Sequence, residues 1–269
     1  MQASEHDTLA QQVLALRGTG DQVTPFTESQ PGLDITEAYG VGARLRVLRE
    51  GAGDSVVGRK IGFTNRSIWP EFGINQPIWG YVYASTLQDL AEVQEGFSLS
   101  GLPEPKIEPE IILGLGRAPE PGMDESDLFA CLDWVSHGFE IVQSIFPGWR
   151  FAAPDTIAGG GLHGALLVGP KRKPGSEVGL EALHAFDIAI QRNGEPMDRG
   201  KATNVLGGPL TALRHLVELL PRDPYNPPLA AGEVVTTGTL TRAFDAAPGE
   251  TWETSLEGID LPGARLRFT

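Results

Sequence analysis

The chain has 269 residues, with 35 acidic against 21 basic side chains and a formal charge of −14. No basic cluster interrupts that acidity, which argues against a nucleic-acid backbone as partner, and the ordinary share of apolar residues argues against disorder. Cys131 is the only cysteine, so no intramolecular disulfide can form. No apolar stretch suffices for a membrane span or a signal-type leader, and a cytoplasmic location is expected.

In chain order, Leu9, Val13 and Leu16 share one stripe of an amphipathic helix from about Glu5 to Arg17. A Gly/Pro/Thr-rich connection runs from Gly18 to Gly32. Asp34 then reads as the N-cap of a second helix carrying Ala38, Val41, Leu45 and Leu48 and closing near Gly51. Beyond it, short apolar runs between Gly and Pro punctuation read as strands: Val56–Phe63, Ile78–Tyr83, Ile107–Leu115, Phe139–Ile145, Leu166–Val168, Phe186–Arg192, Val234–Thr239 and Trp252–Leu256. Helices are expected at Asp124–Ser136 and Pro209–Leu220, the second opening on proline. Cys131 lies in the apolar run Leu128-Phe-Ala-Cys-Leu-Asp-Trp134 and reads as a core residue. The order lacks regular strand–helix alternation and points to a β-rich α+β fold with an N-terminal helical lobe.

The segment Lys106-Ile-Glu-Pro-Glu-Ile-Ile-Leu-Gly-Leu-Gly116 carries the strongest chemical signal. In a strand, Glu108 and Glu110 project from one face while their neighbours are apolar. Two readings stand at this point: a solvated edge strand, or a carboxylate pair whose repulsion and desolvation a hard cation such as Mg2+ or Mn2+ relieves. Glu140, in Gly138-Phe-Glu-Ile-Val-Gln143, could supply a third oxygen ligand from a second strand. Lys60, between Val57 and Ile61, either snorkels to water or is held to meet an anion. Gly159-Gly-Gly-Leu-His-Gly164 matches no nucleotide-binding pattern and reads as a turn bringing backbone N–H groups near a ligand, with His163 as a site candidate. No nucleophile elbow occurs, and His6, His137, His184 and His215 lack zinc-ligand spacing.

Eight motifs in consistent order carry a family resemblance from Asp34 to the C-terminus. They are Val57-Gly-Arg-Lys-Ile-Gly-Phe-Thr64, Gln76-Pro-Ile-Trp-Gly80, Pro105-Lys-Ile-Glu-Pro-Glu110 and Phe139-Glu-Ile-Val-Gln-Ser144. Asp155-Thr-Ile-Ala158, Gly207-Gly-Pro-Leu-Thr-Ala-Leu213, Leu229-Ala-Ala-Gly-Glu-Val-Val-Thr-Thr-Gly-Thr239 and Pro248-Gly-Glu-Thr251 complete the series. Together they resemble the 2-hydroxypenta-2,4-dienoate hydratase / 4-oxalocrotonate decarboxylase family of the fumarylacetoacetate hydrolase superfamily. The resemblance implies a mixed β-roll-like core at 81–269 behind an N-terminal lobe at 1–80. It also implies a divalent metal, usually Mg2+ with Mn2+ as a substitute, on Glu108, Glu110 and Glu140, and Lys60 in the pocket of a 2-oxo acid substrate. A homo-oligomer, associating with a partner enzyme of the same pathway, is implied as well.

Two departures bear on the substrate. Hydratases of this family usually have Asp where Ile78 stands, whereas the decarboxylase branch often has an apolar residue there. A polar Asp-Asn and a Ser-rich pair usually line the pocket where Gly159, Gly160, Leu162 and His163 occur, so His163 is the candidate to move protons; Gly161 and Thr239 are further substrate-binding candidates. Hydration is the leading expectation and decarboxylation the runner-up. An acylpyruvate hydrolase would need a His/Glu pair after the Lys60 strand, where Asn65 to Trp79 offers Glu71 alone. A non-catalytic partner subunit would have no reason to keep all three glutamates.

Overall fold

The computed structural model describes residues 1–269. Its larger sheet has eight strands: β1 (Val56–Gly62), β2 (Ile78–Tyr83), β3 (Leu87–Asp89), β4 (Lys106–Leu115), β5 (Leu132–Val142), β6 (His163–Val168), β9 (Val234–Thr236) and β10 (Phe244–Asp245). Seven follow the order β2-β1-β9-β4-β5-β6-β3, and β10 pairs with the start of β4. The smaller sheet runs β12-β11-β7-β8 from β7 (Asp187–Arg192), β8 (Glu195–Lys201), β11 (Thr251–Glu257) and β12 (Arg265–Arg267). This mixed, β-rich α+β architecture is the fold class expected from the sequence. β1 and half of β2 belong to the predicted N-terminal lobe, and they enter the same sheet as β4, β5 and β9.

The antiparallel pair β4–β5 is the spine, with Glu108 directly opposite Glu140 and Glu110 opposite Gly138. Alternation along the pleat separates its two faces. Ile107, Phe139 and Ile141 pack into one apolar cluster with Ile190, Trp252 and Leu266 of the smaller sheet. The glutamates between them therefore turn the other way. Parallel pairing sets Lys60 of β1 beside Thr236 of β9, and Thr236 also pairs with Ile112 of β4. Lys60 and the carboxylates are thereby carried on neighbouring strands.

The N-terminal helices cover one side of this sheet. The first spans Ala3–Leu16 and buries Leu9, Ala10 and Val13. The second spans Ile35–Gly51, and Asp34 caps it by accepting from the Glu37 backbone N–H at 2.9 Å. A short turn of helix, Phe26–Ser29, interrupts the connection between them.

One predicted element is corrected. The helix expected at Asp124–Ser136 stops after Glu125–Phe129, and the chain from Leu132 onward is strand β5. Asp124 does cap a helical turn, accepting from Asp127 N at 2.9 Å. Trp134 and Val135, however, are aromatic and β-branched, and pairing with Gly114 and Leu113 of β4 overrides the helical reading. Cys131 is buried, as its apolar run implied.

Asp155 ties the N-terminal segment to the core. Its buried carboxylate accepts from Thr27 N (2.9 Å), Thr27 Oγ1 (2.7 Å) and Ala152 N (2.9 Å). Asp155→Ala leaves these donors without partners and is expected to cost about 2–4 kcal/mol in urea unfolding. A loss below about 0.5 kcal/mol, the size of an ordinary surface change, would contradict the tie.

Candidate active site

The site is built on the spine. Glu108, Glu110 and Glu140 each bring a carboxylate oxygen within 4.8 Å of the others. Glu110 and Glu140 are buried, and Glu108 is partly open to a cleft of about 800 Å3. The solvated-edge reading of the glutamate strand therefore fails. Each buried carboxylate has one anchored oxygen. Glu110 Oε2 accepts from Thr236 Oγ1 and from Gly238 N at 2.8 Å, while its Oε1 has no hydrogen-bond partner. Glu140 Oε1 accepts from His163 Nδ1 at 2.8 Å. Its Oε2 lies 3.1 Å from Lys60 Nζ, in ion-pair range but out of line for a hydrogen bond.

Lys60 is buried, so the snorkelling reading is also set aside. Burial disfavours its ammonium, but the charges of Glu140, Glu108 and Glu110 outweigh burial and raise its pKa above the ordinary value. Burial works against Glu140 too, yet Lys60 and His163 hold its carboxyl below the usual range. At the other two the compensation is outweighed. Burial, joined by the Glu140 charge and opposed by Lys60, pushes Glu108 up to about 7. Burial and the charges of Glu140 and Glu108 push Glu110 well above its ordinary value. One ammonium is insufficient for three converging carboxylates.

The remaining predicted residues divide into two groups. Ile78, Gly161, Leu162 and Thr239 line the cleft, with Ile78 opposite Gly62 of β1. Gly160 and His163 do not. Gly160 faces a small cavity beside Tyr39 and Trp79. His163 sits behind Glu140, its Nε2 2.9 Å from Thr86 Oγ1, and borders a separate cavity. Of the glycine run, Gly161 reaches the cleft and Gly159 and Gly160 do not. The run leaves room for Lys60: a Cβ on Gly161, itself at φ +73°, would lie 2.8 Å from Lys60 Cδ. Gly238 is equally constrained, since at φ +99° a Cβ would meet Thr64 Oγ1 at 2.1 Å while its N–H serves Glu110.

Sequence reasoning missed the cleft's mouth. Arg66, Asp198, Arg199 and Arg242 line it and are exposed or half-exposed. Asp198 and Arg199 sit on β8, an element absent from the predicted strands. The Asn193-Gly194 pair after β7 was its signal, because both residues adopt the positive φ of a tight hairpin turn (53° and 82°).

A mixed, curled sheet carrying three converging carboxylates and a buried lysine defines a class of protein built around a hard-cation site. Residues 104–263 match the profile of the fumarylacetoacetate (FAA) hydrolase C-terminal family, and the chain belongs to that family. It is 28% identical over 268 residues to the 2-hydroxyhexa-2,4-dienoate hydratase of Comamonas testosteroni, covering 98% of this chain and 97% of that one. It is 28% identical over 244 residues to the 4-oxalocrotonate decarboxylase of Pseudomonas putida, covering 89% and 88%. The solved 4-oxalocrotonate decarboxylase of Pseudomonas putida G7, complexed with magnesium and adipate, superimposes with a TM-score of 0.90 over 100% of this chain and 99% of that one, at 24% identity.

The donor set and the unpartnered Glu110 oxygen fit an oxygen-preferring divalent cation. Such a cation must displace protons from Glu108 and Glu110. Mg2+ is therefore expected to bind at least about tenfold more weakly at pH 6 than at pH 8. Calorimetry in two buffers of different ionisation enthalpy should register proton release. Equal affinity at both pH values, with no proton released, would contradict the assignment.

Proposed function

We propose that the protein is a divalent-metal-dependent lyase that hydrates a 2-hydroxy-2,4-dienoate to a 4-hydroxy-2-oxo acid. The observation that carries this reading is the convergence of Glu108, Glu110 and Glu140 beside a lysine whose charge is reinforced rather than lost. The three glutamates would hold the cation, Mg2+ or Mn2+. When bound, it supplies Lewis acidity to the carboxylate and 2-oxygen of the substrate.

Lys60 acts as a fixed positive charge, not as a base, since its neighbours favour the ammonium form. It neutralises the substrate carboxylate or the enolate oxygen as charge gathers there. Protonation of the dienol at C5 with loss of the 2-hydroxyl proton gives a 2-oxo-3-enoate, and water then adds its oxygen at C4 and a proton at C3. Ile78 and Leu162 form an apolar wall that restricts where water can stand. His163 touches Glu140 rather than the cleft and is a positioning residue: it fixes one Glu140 oxygen so that the other is turned to Lys60.

Decarboxylation of a vinylogous 2-oxo diacid is the second reading, favoured by one observation, the apolar Ile78 on the cleft wall. It proceeds through the same dienolate, with carbon dioxide leaving and a proton taking its place. Acylpyruvate hydrolysis has less support, because Glu71 is exposed and lies outside the cleft lining.

With Mg2+, loss of 2-hydroxypenta-2,4-dienoate absorbance without CO2 release is expected, and Glu108→Ala should lower turnover about a hundredfold or more. Undiminished turnover in that variant would remove the metal assignment. CO2 release from the vinylogous diacid would select decarboxylation. His163→Gln should weaken Mg2+ binding by about 10–100-fold with the thermal transition retained. Affinity unchanged in calorimetry would leave His163 without the positioning role.

A further inference from the structure

A second cavity, of about 490 Å3, lies on the far side of Glu140 from Lys60, where His163 borders it. The helices Ala3–Leu16 and Ile35–Gly51, β2, β6 and the segment before β4 supply its walls. None of the chain's 35 acidic residues lines it, whereas the active-site cleft contains Glu108, Glu110 and Asp198. Two guanidinium groups, those of Arg17 and Arg49, line it instead. Leu45, Phe97 and Ile145 contribute buried apolar side chains, and Ser98 and Ser100 stand exposed at the edge.

The two arginines differ in what they can still bind. Arg49 is buried, lies over the Tyr83 ring, and donates to Asp54 Oδ2 from Nε (3.1 Å) and Nη2 (2.6 Å). Asp54 also accepts from Ser85 Oγ (2.7 Å) and from the backbone N–H groups of Ser55 and Ser85. Its capacity is taken up. Arg17 is exposed, donates from Nη2 to Ser85 Oγ (2.6 Å), and stands 4.0 Å from the same Asp54 oxygen. Arg17, Arg49 and Asp54 together leave one positive charge at the edge of the cavity, held in place by Ser85. The inner wall reaches the glutamate cluster. Thr86 and His163 both border the cavity, and the ring joins Thr86 Oγ1 (2.9 Å from Nε2) to Glu140 Oε1 (2.8 Å from Nδ1).

We propose that this cavity binds a small organic monocarboxylate, with its carboxylate at Arg17 and its apolar body along Leu45, Phe97 and Ile145, and that occupancy strengthens cation binding at the glutamate cluster through Thr86, His163 and Glu140. Binding of the acid needs only the cavity, whereas its coupling rests on the cation reading of the floor. One uncompensated guanidinium matches one carboxylate in planar, two-point geometry. The volume and the mixture of apolar walls with a few fixed polar groups are those of a small-molecule pocket. An inorganic anion would leave the apolar walls unused, and a cationic ligand would meet two guanidinium groups. The sign of the coupling follows from the wall. An acid packed against Thr86 and His163 limits the motion of the ring that holds Glu140 Oε1, so part of the ordering a cation demands is already done. The opposite charges of acid and cation act in the same direction. By reciprocity the cation tightens the acid as much as the acid tightens the cation.

Calorimetry with hexanoate and 4-phenylbutanoate, each beside its amide, tests the site in metal-free buffer. At least one acid should bind with a Kd below about 1 mM and about fivefold more tightly than its amide. In Arg17→Gln, with an unchanged thermal transition, that preference should fall to about twofold or less. Failure of both acids to bind, or a preference that survives Arg17→Gln, overturns the site. Saturating Mg2+ should then tighten the acid at least about fivefold in wild type, and the acid should tighten Mg2+ by the same factor. Thr86→Val cuts the link while leaving the charge of the cavity, so acid binding in metal-free buffer should persist and the coupling should fall to about twofold or less. Coupling absent in wild type, or undiminished in Thr86→Val, overturns the route and leaves the site. A gain with Mg2+ that persists in Arg17→Gln marks coordination to the cation in the cleft and overturns the coupling as well. Acid binding without any Mg2+ binding overturns the cation reading of the floor alone.

Discussion

Like charges forced together at one point of the β4–β5 pair organise this molecule. Strand register sets Glu108 against Glu140, and the two-residue period brings Glu110 to the same face. None of these positions can move without shifting a ladder that buries Phe139, Ile107 and Ile141 on its other side. Packing on one face is what holds the repulsion on the other. The surroundings relieve that repulsion only in part: Lys60 and His163 favour charge on Glu140, whereas Glu108 and Glu110 are driven toward protonation. The site is electrostatically incomplete in the way a cation would complete.

Support for this centre arrives from remote parts of the sequence. Thr236 and Gly238 of the β9 region hold Glu110, His163 at the start of β6 holds Glu140, and Thr86 holds His163. Lys60 reaches the cluster over a glycine whose missing side chain makes the passage. Together these contacts anchor one oxygen each of Glu110 and Glu140 and fix the course of Lys60.

The floor was legible in the sequence because it violates the pattern around it. Glutamates at positions 108, 110 and 140 and lysine at 60 stand in apolar strands, where charge without a partner is costly, and period-two geometry gave their shared face. What surrounds them was not. His163 looked like a group facing substrate, since sequence shows proximity along the chain but not which side of a carboxylate a ring approaches. The glycine run carried no mark of the lysine it accommodates. At Leu132–Val142 a capped helical turn runs directly into a strand, and only the partner strand decides where one stops. The arginines of the mouth resembled ordinary surface charge until the fold brought three segments together.

The floor of the cleft and its mouth come from different parts of the fold. The floor belongs to the larger sheet, where each carboxylate is locked by core packing on the opposite face. The mouth belongs to the β7–β8 hairpin of the smaller sheet and to two loops. The two meet at few points: Ile190 of β7 packs on the apolar face of the β4–β5 ladder, and Leu240 N donates to Pro109 O of β4, while Arg66, Arg199 and Arg242 point away as exposed side chains. Exposed side chains at the mouth can therefore be exchanged while the carboxylates below keep their register, so what enters the cleft can drift in evolution separately from the chemistry at its floor.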